Sequence, residues 1–495
     1  MSVTSSLTRF TSFPDLRGNV WPNLKEGISV LFGSSFRVIL LRLFPRRFLP
    51  RHVLEVLETL VRAGFPAYVV GGAVRDLLLG LRPKDWDVAT AALPEVSQRL
   101  FPRTYPSGLR HGTITVLLDG GQVEVTTFRR EGPYSDFRHP DTVLFTTELA
   151  DDLARRDFTI NALALDQKGR LQDLLGGKRD LDRRLIRAVG EARARFSEDP
   201  LRMLRAVRLA AELGFRIAPS TWQDLLTTAP LLRHVSLERI RDEFSRCLVS
   251  PRPVQALEDL RQSGLLAIFL PELLEGVGVT QNEFHRFTVW EHSLLATAAV
   301  RPELHLRLAA LFHDIGKPRT RTVLEGKVHF FDHEKVGALM TREILTQLRY
   351  PGALVEKVVH LVQQHMGLHY TPGMKEAAIR RLLGRVGAEN IPDLVALQAA
   401  DRLASGRKEG ELSPGTLELL QRIEAILREK EALTLKDLAI NGDDVMAVTG
   451  LSPGPLVGQI LERLLELVWE DPSLNRRDTL LQKTREIAAE IVKSD

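Results

Sequence analysis

From Leu49 onward, apolar and polar positions alternate in short, legible blocks. RHVLEVLETLVRA (51–63) spaces its apolar residues by three and four and stops at Gly64 and Pro66, which predicts an amphipathic helix. Tyr68–Val70 reads as a short β run, Ala73–Leu79 as helix, and Asp85–Ala89 as strand again. Thr113–Leu118 and Gln122–Phe128 are further strands, and Asp119-Gly120-Gly121 between them is a hairpin signal. After Asp173 the pattern becomes almost wholly helical, with apolar spacings of three and four from Pro200 to the end. Breaks at Pro251/Pro253, Pro271, Pro351 and Gly406–Gly410 divide that region, and no fixed-period repeat is present. The pattern predicts an α+β protein: a small head with a mixed sheet over 49–175, then a long all-α region split into 176–250, 251–405 and 406–495.

Composition supports several domains. The chain has 495 residues, 44% hydrophobic and 26% charged, which fits three or four globular domains and excludes a disordered or polytopic membrane protein. Lys and Arg number 67 against 63 Asp and Glu, a net charge of +4, so affinity for nucleic acid has to come from local patches. One cysteine, Cys247, excludes an internal disulfide framework and a cysteine-based zinc cluster, and suits a reducing, cytoplasmic home. Residues 1–48 differ: seven Lys and Arg stand against Asp15 and Glu26, and Arg37 and Arg42 interrupt the apolar stretch Ile28–Phe44. Each such charge costs about 2.5–3.5 kcal/mol at a bilayer centre, so no spanning helix is expected. The segment reads as a dispensable basic extension, with a targeting segment or an RNA-touching arm as alternatives.

Chemistry concentrates at 68–88, YVVGGAVRDLLLGLRPKDWDV. A strand entering Gly71-Gly72 and then a helix exposes unpaired backbone N–H groups that suit phosphate, and Arg75 lies on the first turn of that helix. On a strand, Asp85 and Asp87 share one face while Trp86 takes the other. Two such carboxylates repel unless a cation lies between them, and carboxylates plus substrate phosphates are the preferred ligands of Mg²⁺. Glu124, between Val123 and Val125, is a third candidate carboxylate.

Residues 71–90 resemble the signature of polymerase-β-type nucleotidyltransferases, in particular class II CCA-adding enzymes and bacterial poly(A) polymerases. The similarity continues through Arg155-Arg156-Asp157-Phe158-Thr159-Ile160-Asn161-Ala162, Asp173-Leu174-Leu175-Gly176-Gly177 and Glu198-Asp199-Pro200-Leu201-Arg202-Met203-Leu204-Arg205. The resemblance implies that Asp85 and Asp87 are metal ligands, with Glu124 beside them, and that two metal ions activate a 3′-hydroxyl and neutralise pyrophosphate. It also implies that Gly71, Gly72, Arg75, Arg156, Asp157, Asn161 and Arg205 surround the incoming nucleotide. The expected partners are tRNA, ATP and CTP, with no membrane and no protein partner.

Base choice has its own reading. Near Ser197 a helix is expected to begin, with Pro200 in its first turn and Glu198 and Asp199 at its positive end. Asp199 and Arg202 are three apart and share a face, so one acceptor and one donor stand side by side. Cytosine and adenine offer the matching donor and acceptor on one edge, whereas uracil and guanine offer the reverse. The resemblance implies this role for Glu198, Asp199 and Arg202. SGLRHGTIT (107–115) is similar to CCA-adding enzymes rather than poly(A) polymerases, which leaves poly(A) addition or A-only addition as the rival. RREGPYSDFRHP (129–140) resembles the flexible loop of enzymes able to add the terminal A, with Asp136 and Arg138 as its working residues and His139 where many relatives carry a second Arg.

Nine of the thirteen histidines fall between 285 and 369. His292, His313-Asp314 and Asp401 each end an apolar helical run, and imidazoles with carboxylates suit a divalent metal. The set resembles the HD phosphohydrolase superfamily, with His333 and His365 as candidates for a second metal. Lys317 is read as a phosphate contact or a solvated side chain, and His285, His305, His329, His360 and His369 as ordinary residues. A phosphohydrolase whose head only docks RNA is the rival from another class. The tail, AINGDDVMAVTGLSPGPLVGQILERLLELV (439–468) with NRRDTLL (475–481), is similar to the helical region that holds the tRNA elbow in CCA-adding enzymes. Gly458, the Pro453-Gly454-Pro455 turn, Arg476 and Arg477 are its candidate phosphate contacts.

Overall fold

The computed structural model describes residues 34–492 apart from 44, 369–370, 372, 407–411 and 430–431. Most of the basic extension (1–33), residues 407–410 of one expected break and His369 lie outside the described residues. The chain divides into two compact units, one ending at His234 and one beginning at Val235.

In the first unit, helix α1 (Arg51–Arg62) buries Val53, Leu54, Val56, Leu57 and Leu60, the spacing its sequence announced. Strands β1 (Ala67–Val70), β2 (Asp87–Thr90), β3 (Thr104–Gly108), β4 (Thr113–Leu118), β5 (Gly121–Thr127), β8 (Ala164–Leu165) and β9 (Leu171–Gln172) form one sheet in the order β3-β4-β5-β2-β1-β8-β9. β2 runs parallel to β5 and antiparallel to β1, so the sheet is mixed, as the pattern predicted. Strands β6 (Arg129–Glu131) and β7 (Val143–Phe145) make a separate small hairpin. Helix α2 (Gly72–Leu79) follows β1 directly.

Two details depart from the sequence reading. Strand β2 starts at Asp87, so Asp85 lies in the bend that precedes it: Pro83 has no N–H to give to a ladder. No single helix begins near Ser197. Helix α3 (Ala192–Glu198) ends there, Asp199 is extended, and α4 (Leu201–Leu213) starts after Pro200. Glu198 therefore ends one helix instead of opening the next.

The second unit is mainly helical but not wholly so. Helices α5 (Val289–Ala299), α6 (Leu304–Phe312), α7 (His333–Gln347), α8 (Gly352–Gln364) and α9 (Ile391–Ala404) pack together, α5 starting at a Thr288–Glu291 capping box. Strands β12 (Arg321–Leu324) and β13 (Lys327–Phe330) interrupt them as a hairpin, which corrects the all-helical expectation. They are numbered after β10 (Leu185–Ile186) and β11 (Arg216–Ile217), a parallel pair in the first unit. Further along, α10 (Pro455–Glu470) and α11 (Arg477–Val492) share a core of Val445, Val457, Ile460, Leu464, Leu480 and Ile487. Among the described residues no helix is long and apolar enough to cross a membrane.

Candidate active site and metal centre

Register sets the head site. Asp87 pairs across β2 with Val70 on one side and with Glu124 of β5 on the other, so the two acids stand on neighbouring strands facing the same way. Burial pushes the Asp87 carboxyl up to about 6, and Glu124 and Asp85 add to it while Arg156 opposes them. Among the described residues none of Asp85, Asp87 and Glu124 has an ion-pair partner. All three line an open cleft of about 1030 Å³, and Trp86 is among its lining residues. Among the described residues, the groups of three or more donors that converge within 4.8 Å lie in the second unit, and Asp85, Asp87 and Glu124 are not such a group.

Gly71 joins β1 to α2 at φ 75°, where an added Cβ would stand 3.1 Å from Arg156 Nη1 and 3.6 Å from Asp87 Oδ2. Gly71→Ala is expected to cost about 1–2 kcal/mol from the left-handed backbone alone and to weaken nucleoside triphosphate binding, measured by urea unfolding and by KM. Arg156 is held by Asp152, fully buried, which accepts from Arg156 Nη2 at 3.0 Å and from Arg155 at 2.7 and 2.9 Å. Sequence reasoning missed Asp152; its spacing of three and four from two arginines was the available signal.

Arg75 does not face outward. Its Nη1 donates to Asn161 Oδ1 at 2.7 Å, Asn161 Nδ2 donates to Asp157 Oδ1 at 3.1 Å, and Arg205 donates twice to Asp157 Oδ2 at 3.0 and 2.7 Å. Burial alone would raise Asp157, yet Arg205 and Asn161 hold it down to about 2. Four residues named separately from sequence thus form one connected chain. Arg202 pairs with Glu198 at 2.6 Å, while Asp199 accepts from the Leu201 N–H at 3.1 Å. Arg202 also donates to the backbone carbonyls of Arg195 and Arg155.

In the loop between β6 and β7, the Asp136 carboxylate accepts from the His139 and Arg138 N–H groups at 2.6 and 2.8 Å and meets His139 Nδ1 at 2.8 Å. Those bonds hold it down to about 2, and His139 thereby fills a role of its own. Arg138 is exposed. Glu131, which the sequence reading did not name, binds Arg129, Arg155 and the Tyr134 hydroxyl at the base of this loop.

The second unit collects its ligands tightly. Helix α5 supplies His292, the end of α6 supplies His313 and Asp314, and α9 supplies Asp401; His292 Nε2 lies 3.0 Å from His313 Nε2, 3.3 Å from Asp314 Oδ2 and 3.0 Å from Asp401 Oδ1. The other Asp314 oxygen lies 3.5 Å from His333 Nε2 and 3.9 Å from His365 Nε2. Asp314 therefore stands between two pairs of imidazoles. Backbone carbonyls of Ala310, Phe330 and Val362 engage Nδ1 of His313, His333 and His365 at 2.7–2.8 Å, turning each Nε2 inward. Burial alone would lower His313, but Asp314 and Asp401 push it up to about 10, whereas burial and His313 drive His365 down to about 3. Imidazoles and carboxylates at these distances fit a divalent cation, and the set divides into two adjoining groups.

His285, set aside from sequence, joins His292 and Asp401 in this cluster. Lys317 is buried, 2.7 Å from Asp314 and bonded to Gln281 at 2.7 Å, so it is not a solvated side chain. Gly316 makes the turn fit: a Cβ there would collide with the His333 carbonyl. A pocket of about 410 Å³ opens over the cluster, lined by Phe284, His285, Lys317, Phe331 and Arg402 among others. A third group, Glu303, His305 and Asp393, is already neutralised by Lys357 at 2.7 Å. In the tail, Arg477 is exposed and pairs with Asp444 at 3.0 Å.

A mixed sheet that aligns acids on neighbouring strands beside a glycine turn and an arginine defines a nucleotidyltransferase, here carried with an HD-type metal centre. Family models match in the same order: the poly A polymerase head domain over residues 67–187, the "probable RNA and SrmB-binding site of polymerase A" over 214–276, and the HD domain over 285–406. The CCA-adding enzyme of Geobacillus stearothermophilus is 36% identical over 87% of this chain and 95% of its own length. The A-adding tRNA nucleotidyltransferase of Deinococcus radiodurans is 38% identical over 81% of this chain and 91% of its own. The crystal structure of the Bacillus stearothermophilus CCA-adding enzyme in complex with CTP superposes with a TM-score of 0.68 at 32% identity, covering 89% of this chain and 98% of that one. The chain belongs to the family of CCA-adding enzymes and their A-adding relatives.

Proposed function

We propose that this protein adds C and A to tRNA 3′ ends from CTP and ATP without a nucleic-acid template. The observation that carries the reading is Asp87 in register with Glu124, without a salt-bridge partner among the described residues and capped by Gly71 and Arg156. A divalent cation, which we assign as Mg²⁺, supplies activation of the 3′-hydroxyl and neutralisation of the leaving pyrophosphate when bound at Asp85, Asp87 and Glu124. The chain's own residues do the rest. The backbone N–H groups at the start of α2 and the Arg156 guanidinium receive phosphate oxygens. The Arg75–Asn161–Asp157–Arg205 chain fixes the sugar. Arg202, aimed by Glu198 and two backbone carbonyls, keeps N–H donors for the ring nitrogen of cytosine or adenine, and Asp199 offers an acceptor to the amino group.

The test uses tRNA ending before CCA, after C and after CC, with each labelled nucleotide. Expected are C on the first two, A on the third, and no extension past CCA. Incorporation of A alone on the CC-ended tRNA, or long A tails on generic RNA, would replace this reading, and no incorporation at all would end it. A second activity is favoured by Asp314 standing between two imidazole pairs beneath an open pocket: metal-dependent phosphohydrolysis at the HD centre. Cys247, the one cysteine of the sequence, is buried and suits a reducing compartment, and we place the protein in the cytoplasm.

A further inference from the structure

We propose that His285 is a ligand of the first of two cations in the HD centre, joining His292, His313, Asp314 and Asp401. This cation is then enclosed, while the second, at Asp314, His333 and His365, faces the pocket. The assignment rests on the metal-binding reading of the HD centre. His285 lies outside the set that the family resemblance supplied, on a loop between regular elements.

The loop is nevertheless fixed at the right place. The Arg286 N–H donates to the Ser405 carbonyl at 2.9 Å, and Gln281 Nε2 donates to the Phe287 carbonyl at 3.2 Å. Gly406 admits this contact: at φ 69° it has no side chain, and an added Cβ would stand 2.6 Å from the Phe287 ring. The loop is thereby tied to the end of α9, one turn past Asp401. Gln281 Oε1 also accepts from Lys317 Nζ at 2.7 Å, and that amine lies 2.7 Å from Asp314. Ligand atoms of His285, His292 and Asp401 accordingly lie within 4.8 Å of one another.

The tautomer of His285 suits a metal. Asn282 Oδ1 accepts from the Phe284 N–H at 3.2 Å and meets His285 Nδ1 at 2.9 Å. The Asn282 atom that receives a backbone N–H is its amide oxygen, which has no proton to give. Nδ1 of His285 therefore carries the hydrogen, and Nε2 keeps a lone pair. Backbone carbonyls set His313, His333 and His365 in the same way, and here an asparagine side chain does it.

Enclosure separates the two positions. His285, His333 and His365 line the pocket of about 410 Å³, whereas His292 and His313 are fully buried and are not among its lining residues. His285 thus stands between the open space and the first position. With it, the first cation draws on three imidazoles and two carboxylates and has one place left in an octahedral shell; the second draws on two imidazoles and Asp314.

The full chain, stripped of metal and titrated with Co²⁺, tests this by calorimetry and X-ray absorption. With one equivalent bound, wild type is expected to show three imidazoles around the metal, those of His285, His292 and His313, and His285→Ala two. Loss of an outer partner of a ligand costs about 10–100-fold in affinity, so loss of the ligand itself in His285→Ala should weaken the first binding event about a hundredfold or more and leave the second unchanged. Asn282→Ala, which releases the fixed tautomer, should weaken the first event about tenfold with all three imidazoles retained. Two imidazoles in wild type would overturn the proposal without recourse to any variant. A His285→Ala protein that matches wild type in affinity or in imidazole count would overturn it too. Wild type that binds no Co²⁺ would instead remove the metal reading of the HD centre itself.

Discussion

Asp87→Asn is expected to abolish nucleotide incorporation, by about a thousandfold or more, and at the same time to raise the melting temperature. The loss follows from removing a charge that stabilises the transition state through the cation, an effect of several kcal/mol at about 1.4 kcal/mol per tenfold. The gain follows from the acid's surroundings. Its folded pKa of about 6 lies above the unfolded value near 3.8, because burial and two neighbouring acids penalise the charge. The penalty grows as pH rises from about 4 to about 6 and is fully present above that, up to about 3 kcal/mol. The stability difference between variant and wild type should therefore be largest at pH 7.5 and vanish below about pH 4. Thermal unfolding across pH, beside incorporation on tRNA, checks both halves; a variant that is inactive and less stable at pH 7.5 would contradict the account.

Asp314→Ala should have the opposite effect on stability and leave incorporation at 25 °C intact. Its carboxylate is 1% exposed and lies against Lys317 and four imidazoles, of which His313 and His292, with Lys317, hold it well below the usual range despite its burial. Truncation leaves a buried lysine without its counter-charge, at a cost of about 3–5 kcal/mol. It also removes the one group common to both imidazole pairs. Calorimetry should show the second unit melting earlier, and elemental analysis should show divalent metal lost from that unit. Full metal retention would mean that the two pairs do not depend on Asp314.

Much of this was legible because the signals were local. Asp87 and Glu124 each sit in a short apolar strand run, and His292, His313, Asp314 and Asp401 each closed an apolar helical run; the register that sets the two acids side by side joins β2 to the distant β5 and came from the fold. What failed depended on breaks or on distant partners. Pro83 and Lys84 delay the strand, so Asp85 and Asp87 do not share it. Pro200 splits one expected helix into two, and Arg202 pairs with Glu198, four residues back. Glu325 and Gly326, with φ 50° and 75°, make the two-residue turn of a hairpin that alternation over RTVLEGKVHF could have revealed. Helical periodicity on both sides hid it. Nothing local marks His285, which gains its place from His292 and Asp401 elsewhere in the fold; Asp152 was marked only by its spacing to Arg155 and Arg156.

The segment between β6 and β7 carries its own clasp. Asp136 closes on His139, and Ser135 closes on Asp141 at 2.6 Å, so the segment would travel as a preformed hook and not as unravelling chain. Among the described residues two ring stacks hold its tip, Phe137 on His234 at 4.3 Å and His139 on His111 at 5.8 Å. Two such stacks contribute about 1–3 kcal/mol beyond the area they bury. Glu131 and Arg155 tie the base of this hook, so that a swing about them would carry Ser135, Asp136, His139 and Asp141 as one piece.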